Sequence, residues 1–199
     1  MASEIKANKL SPATGTDVTL GDSSDTFTVP SGATLDIASG ATIANSGTQT
    51  GFGLFSSYAI IADQKAQNTD GGTFTSGAWR ERDLQTEIAD PDGIVSISSN
   101  QFTLGAGTYL IKWTPPAWNV RDQQSRLYNV TDSSEVGVGA SNDAVYFGNS
   151  ISSARVTITG STAFSIEHQC SDTVATIGFG CAANFGTEQY TTVEIFKEA

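Results

Sequence analysis

The chain has 199 residues, 38% of them hydrophobic and 16% charged, with a formal net charge of −11. That length fits one ordinary domain with an appendage, and the apolar share excludes disorder as the default state. Lys and Arg stand singly rather than in a patch, which excludes the footprint of a phosphate backbone; neither nucleic acid nor an anionic membrane surface is expected as a partner.

Thr, Ser and Gly are abundant while Lys, Glu, Met and Leu are scarce. Chains of this kind are built from short strands and turns, which predicts an all-β fold. Met1 to Leu10 lack the apolar core of a signal peptide, and no apolar run is long enough to span a bilayer. Synthesis in a cytoplasm, with no classical export and no membrane insertion, is the expectation.

The first part of the chain, residues 1–53, has its own grammar. Val18 with Leu20, Phe27 with Val29, Leu35 with Ile37, and then Ile43 form spaced apolar pairs, each followed by a Gly-containing turn. The phrase Ser31-Gly32-Ala33-Thr34-Leu35 returns eight positions later as Ser39-Gly40-Ala41-Thr42-Ile43. Such a period predicts very short strands in a β-prism or solenoid stem. Each rung offers one or two inward side chains, too few to offset an ordering cost of about 1–2 kcal/mol per residue. A module below roughly 40 residues needs staples or partners. With no disulfide or metal cluster in this stretch, partners are what remain, and three copies around one axis sharing a core of Val18, Leu20, Phe27, Val29, Leu35, Ile37 and Ile43 is the economical solution. The alternative is a flexible Gly/Ser/Thr linker, which has no use for paired large apolar residues.

Residues 54–199 read as one β-domain. Strands are predicted at Tyr58 to Ala62, Ile94 to Ile97, Gln101 to Leu104, Thr108 to Trp113, Arg126 to Val130, Ala154 to Thr159, Phe164 to Cys170 and Thr192 to Lys197. Turns such as Gly105-Ala106-Gly107 and Asp90-Pro91-Asp92-Gly93 separate them, the pattern of a sandwich or jelly roll. Trp79 to Ile88 is ambiguous, but with no clean cap for a helix it is read as strand. Arg80 and Arg82 interleave with Glu81 and Asp83 there, which predicts an exposed, self-neutralising strand.

Ala59 to Lys65, the phrase QFTLGAGTYLIKW over Gln101 to Trp113, and the terminal Val193-Glu194-Ile195-Phe196 together resemble the C1q/TNF-like jelly-roll heads of bacteriophage fibre proteins, especially those of marine phages. The opening Ala2 to Pro12 and the stretch 19–32 are similar to the start of such virion proteins. The resemblance implies a homotrimer with a slender stem at residues 1–53, attached to other virion proteins through its N-terminal segment. It further implies a C1q/TNF-like head at 54–199 and a location on the virion.

Chemistry is sparse. The only histidine, His168, alternates in phase with Phe164, Ile166 and Cys170, which makes it a core or interface residue and not a general base. Gly178 to Ala183 satisfies G-x-G-x-x-A formally, but no helix follows to receive a pyrophosphate. Asp22 with Asp25, and Asp90 with Asp92, read as solvated turn residues and not as calcium ligands. Asn129-Val130-Thr131 is a sequon without a secretory route. No carboxylate pair can be placed across a glycosidic bond. Cys170 and Cys181 are expected as buried free thiols in preference to a bridge. No enzyme activity, catalytic residue, metal or cofactor is expected.

Recognition by a rigid head falls to its loops. Two stretches, Pro115 to Asp122 and Ser141 to Ser150, place large aromatics beside Asn and Asp, a mixture that stacks on a sugar ring and bonds its hydroxyls. Trp118, Asn119, Arg121, Asn142, Asp143, Tyr146 and Phe147 are the candidate receptor-binding residues, against the alternative that the aromatics pack into the head or a neighbouring subunit. The function expected is a trimeric virion fibre that presents its head to a glycan or protein of the host surface. A carbohydrate-binding adhesin module with a repetitive spacer is the alternative.

Overall fold

A computed structural model of the chain describes Thr14, Gly15, Ser24 and residues 26–42 and 54–199. It divides into two compact units, residues 1–48 and 49–199. Of the residues expected in the stem core, Val18, Leu20 and Ile43 lie outside the described residues, as do Asp22 and Asp25.

In the first unit the octad is visible as a repeated turn. The Ala33 N–H donates to the Pro30 carbonyl at 3.0 Å, and eight residues on the Ala41 N–H donates to the Ala38 carbonyl at 3.0 Å. Gly32 and Gly40 occupy the third turn position with φ of +84° and +85°, the left-handed conformation that a type II turn demands and glycine supplies without strain. Between the turns, residues 26–42 form no ladder within the chain, and Phe27, Val29, Leu35 and Ile37 are all exposed, Leu35 to 61%.

The second unit is all-β, with fourteen strands and no helix among the described residues. They are β1 (Phe55–Lys65), β2 (Arg80–Glu81), β3 (Thr86–Ala89), β4 (Val95–Ser98), β5 (Gln101–Leu104), β6 (Gly107–Thr114), β7 (Pro116–Trp118), β8 (Arg121–Asn129), β9 (Ser134–Val138), β10 (Asn142–Ala144), β11 (Phe147–Asn149), β12 (Ser152–Ile158), β13 (Thr162–Cys170) and β14 (Glu188–Glu198). One sheet runs β12-β6-β14-β1-β3; the other runs β10-β8-β13-β5-β4, with β2 on β13 and β9 on β8, and β11 pairs β7 separately. Every pairing is antiparallel. The chain changes sheet at each step from β1 to β4, between β5 and β6, from β6 to β8 by way of β7, from β10 to β12 by way of β11, between β12 and β13, and between β13 and β14, giving a jelly-roll sandwich.

Period-two alternation sets the core. Tyr109, Ile111 and Trp113 of β6 point inward with Ala59 and Ile61 of β1, Val193 and Ile195 of β14, and meet Phe102, Leu104, Leu127, Phe164 and Ile166 of the other sheet. Each Val, Leu, Ile or Phe among them contributes about 1.5–3 kcal/mol of transfer free energy when fully buried. The Trp113 indole N–H donates to Ser125 Oγ at 2.8 Å, and that hydroxyl donates to the Ser150 carbonyl at 2.7 Å. A second cluster joins Ala117 of β7, Ala144 of β10 and Cys170 at the end of β13 with Phe74, Val120 and Phe179 from the connecting segments.

The ambiguous stretch resolves into β2 and β3 with Arg82 and Leu84 buried between them. The expectation of an exposed, self-neutralising strand is corrected there. Arg82 is fully buried, while Glu81 and Asp83 are half-buried. Arg82 is held by its own partners: Nε donates to Thr191 Oγ1 and Nη2 to the Phe179 carbonyl, each at 2.8 Å. Burial pushes its guanidinium down to about 9, so it keeps its charge at neutral pH. The cysteines are both free, Cys170 buried as expected and Cys181 exposed, which corrects the second half of that expectation.

Candidate functional site

The two recognition stretches, separated in sequence, are neighbours in space. β7 and β11 pair so that Trp118 stands opposite Phe147, and the Asn119 N–H donates to the Tyr146 carbonyl at 3.2 Å. Asn119 and Arg121 hold left-handed φ of +55° and +61°, which turns the chain sharply from β7 into β8. Below this corner β8 pairs β10, with Asn142 opposite Gln123 and Asp143 opposite Asp122. Tyr146 is 76% and Phe147 59% exposed. These two rings therefore do not pack into the head, while Trp118 is half-buried against it.

Beside this corner a cleft of about 520 Å³ opens along the ends of β8, β10 and β13. β8 supplies Asp122, Gln123 and Gln124; the β10 segment supplies Ser141, Asn142 and Asp143; β13 and its exit supply Gln169, Cys170 and Ser171; Trp79 closes the side. Internal hydrogen bonds fix the walls. Gln123 Nε2 donates to Asn142 Oδ1 at 2.7 Å, Asn142 Nδ2 to the Asn149 carbonyl at 2.6 Å, and Ser171 Oγ to Asp122 Oδ2 at 3.1 Å. Arg126 lies over the Trp79 ring at 4.3 Å and pairs with Glu167, so the indole is clamped on one side. The Cys170 thiol donates to the Asp172 carbonyl at 3.3 Å, and burial together with Asp172 pushes it up to about 11, which leaves it protonated and without nucleophilic character.

Of the expected receptor-binding residues, Asn142 and Asp143 line this cleft, whereas Trp118, Asn119, Arg121, Tyr146 and Phe147 form the adjoining corner. Trp79, Gln123, Gln124, Gln169 and Ser171 were missed, and Asp122 and Ser141 lay within the two stretches without being singled out. Trp79 opens the segment whose secondary structure was ambiguous, and Gln169 carries a signal only in the phase of β13, where it alternates with the inward His168 and Cys170.

The residues weighed for chemistry occupy structural positions. His168 is fully buried with its ring 4.8 Å from that of Phe74, and neither ring nitrogen has a partner. Burial, then the charge of Arg82, holds its pKa well below the usual imidazole range. Asp90 caps its turn by accepting from the Ile94 and Val95 N–H groups at 2.9 Å, and Asp92 accepts from Ser57 Oγ at 2.6 Å. Asn129 of the sequon is buried in β8 and donates to Asp132. Gly178 to Ala183 is loop, where a Cβ on Gly178 would fall 2.5 Å from the Val174 carbonyl oxygen and 2.7 Å from Phe74 Cβ. Among the described residues no three His, Cys, Asp or Glu side chains gather to hold a metal. No helix among them is long and apolar enough to cross a membrane.

No protein-family model matches the chain, and no curated protein matches it. Solved structures similar to it include the globular domain of zebrafish complement 1qA protein, at 12% identity and TM-score 0.45 over 70% of this chain and 95% of that one. Murine APRIL is similar at 10% identity and TM-score 0.46 over 71% and 98% of the two chains. The PRD1 vertex protein P5 is similar at 15% identity and TM-score 0.44 over 74% and 100%.

Proposed function

We propose that the chain is a homotrimeric virion fibre, with a repetitive stem in residues 1–53 and a jelly-roll head in 54–199 that attaches to the host surface. The observation that carries the trimer is an apolar row on the solvent side of the β12-β6-β14-β1-β3 sheet. Tyr58, Phe196 and Leu110 are register partners on three adjacent strands. A β1 irregularity between Phe55 and Ser57 accompanies Phe55 packing on Phe196, with ring centroids 5.2 Å apart. Tyr58 is 44% exposed, and Ile88 of the neighbouring strand β3 is also exposed. Lys112 with Glu194 and Arg155 with Glu198 form ion pairs on the same sheet. An apolar patch rimmed by charge is the anatomy of a subunit interface.

The stem supports the same stoichiometry. Phe27, Val29, Leu35 and Ile37 are exposed in the single chain, and the octad turns present them at regular intervals. Around a threefold axis each level gathers three copies of these side chains, and the stem's N-terminal segment joins other virion proteins. The head's recognition surface is the corner of Trp118, Tyr146 and Phe147 with its adjoining cleft.

The test is the mass of the full chain in solution, followed by immunogold labelling of virions. Three copies of the 20.8 kDa chain and label on the particle are expected; a stable monomer overturns the reading. A second reading, an adhesin with a spacer and no virion, is favoured by the polar cleft alone and predicts a monomer that binds glycan.

A further inference from the structure

We infer that the cleft between β8, β10 and β13 is a binding site for an uncharged saccharide, which rests on reading the head as the recognition module. Its volume of about 520 Å³ falls within the roughly 300–1,000 Å³ of small-ligand clefts. Trp79 offers the only aromatic ring in the lining, and the other lining side chains except the Cys170 thiol are amides, hydroxyls and carboxylates. An aromatic beside converging amides and carboxylates matches a pyranose, whose C–H face stacks on an indole and whose hydroxyls donate to acceptors.

The second observation is an unmet acceptor. Gln123 is only 4% exposed and lines the cleft, yet its Oε1 has no hydrogen-bond partner. Its amide cannot be turned over, because Nε2 is committed to Asn142 Oδ1, itself oriented by Asn142 Nδ2 donating to the Asn149 carbonyl. A buried acceptor left empty is costly; Oε1 is closed off from the cleft, so a ligand hydroxyl satisfies it by a shift of the Gln123 side chain. The Asp143 carboxylate, exposed at the rim, also has no side-chain partner among the described residues, and Asp122 spends one oxygen on Ser171. Two carboxylates and no cation line the cleft, which favours a neutral sugar and repels uronic and sialic acids.

The experiment is saturation-transfer NMR and calorimetry on the full chain with methyl glycosides of glucose, galactose and mannose, N-acetylglucosamine, glucuronic acid and N-acetylneuraminic acid. At least one neutral sugar is expected to bind saturably in the millimolar range, and neither acid. Asp143→Ala, at an exposed position, is expected to weaken that binding about tenfold, the effect of losing a charge-assisted hydrogen bond. Trp79→Ala is expected to abolish saturable binding, and Trp79→Phe, which retains a stacking ring, to bind with a smaller loss than Asp143→Ala, which keeps the test valid if Trp79→Ala does not fold. No saturable binding by any neutral sugar, equal binding of the acids, or full affinity in Asp143→Ala overturns the site. A virion-bound trimer that binds none of these sugars sinks the cleft and leaves the attachment reading standing; a monomer that binds one does the reverse.

Discussion

The Arg82 guanidinium lies 3.9 Å over the Phe179 ring while its Nη2 donates to the Phe179 backbone carbonyl, so one residue holds a buried cation by both its face and its chain. The Arg82 N–H donates to the Ile166 carbonyl of β13 while its side chain reaches Thr191 of β14, which ties the two sheets together at the segment between β2 and β3. Arg82→Ala removes both hydrogen bonds and the stacking partner and leaves a cavity. The expected loss is about 3 kcal/mol of unfolding free energy, read by urea denaturation. Arg82→Lys keeps the charge but not the fork and is expected to lose at least half as much.

His168 makes stability depend on pH. Its folded pKa is held below the ordinary imidazole value of 6.5, by burial first and by Arg82 second. The unfolded chain therefore takes up a proton as pH falls through 6.5 while the folded chain does not. This contribution is fully present above 6.5 and is lost progressively below it. Melting temperatures from pH 7.5 to 5 should fall more steeply in the wild type than in His168→Leu, and parallel curves would refute the assignment.

Glycines split by what stands beside them. Gly178→Ala would drive a Cβ into the Val174 carbonyl and Phe74, whereas a Cβ on Gly186 meets open space. About 2 kcal/mol or more of destabilisation is expected for Gly178→Ala and less than about 0.5 kcal/mol for Gly186→Ala. Thermal melts of the two variants distinguish them.

The proposed trimer is testable on each unit separately. Leu110→Glu places a charge in the Tyr58–Phe196–Leu110 row and is expected to lower the solution mass toward the monomer with the head still folded. Leu35→Asp or Ile37→Asp is expected to raise protease sensitivity before Gly53 and leave the head intact. Unchanged cleavage would favour the linker.

Thiol accessibility separates the cysteines. Cys181 is exposed and Cys170 is buried with its thiol pushed up to about 11. One equivalent of a thiol reagent is expected to react promptly with the native protein and the second only after denaturation.

Strand alternation determined a great deal in advance. Gln101–Leu104 was read with the bounds that β5 has, and Tyr109, Ile111 and Trp113 of β6 were placed on the face that turned out to be the core. His168 was placed inside by its phase with Phe164 and Ile166. The octad likewise announced the turns at Gly32 and Gly40. These features are local: side chains alternate with period two, and a left-handed turn position selects glycine.

What only the tertiary structure decided depends on residues far apart in the chain. Arg82 reads as a surface charge until Thr191 and Phe179 arrive to receive its donors. β7, β10 and β11 are three residues each, too short to show a period, and exist because the two recognition stretches pair. The cleft gathers Trp79, Gln123, Asp143 and Gln169 from four segments, and no spacing in the sequence encodes that convergence. A single side chain states its chemistry, but whether it meets water, a partner or an empty space is set by which strands lie next to one another.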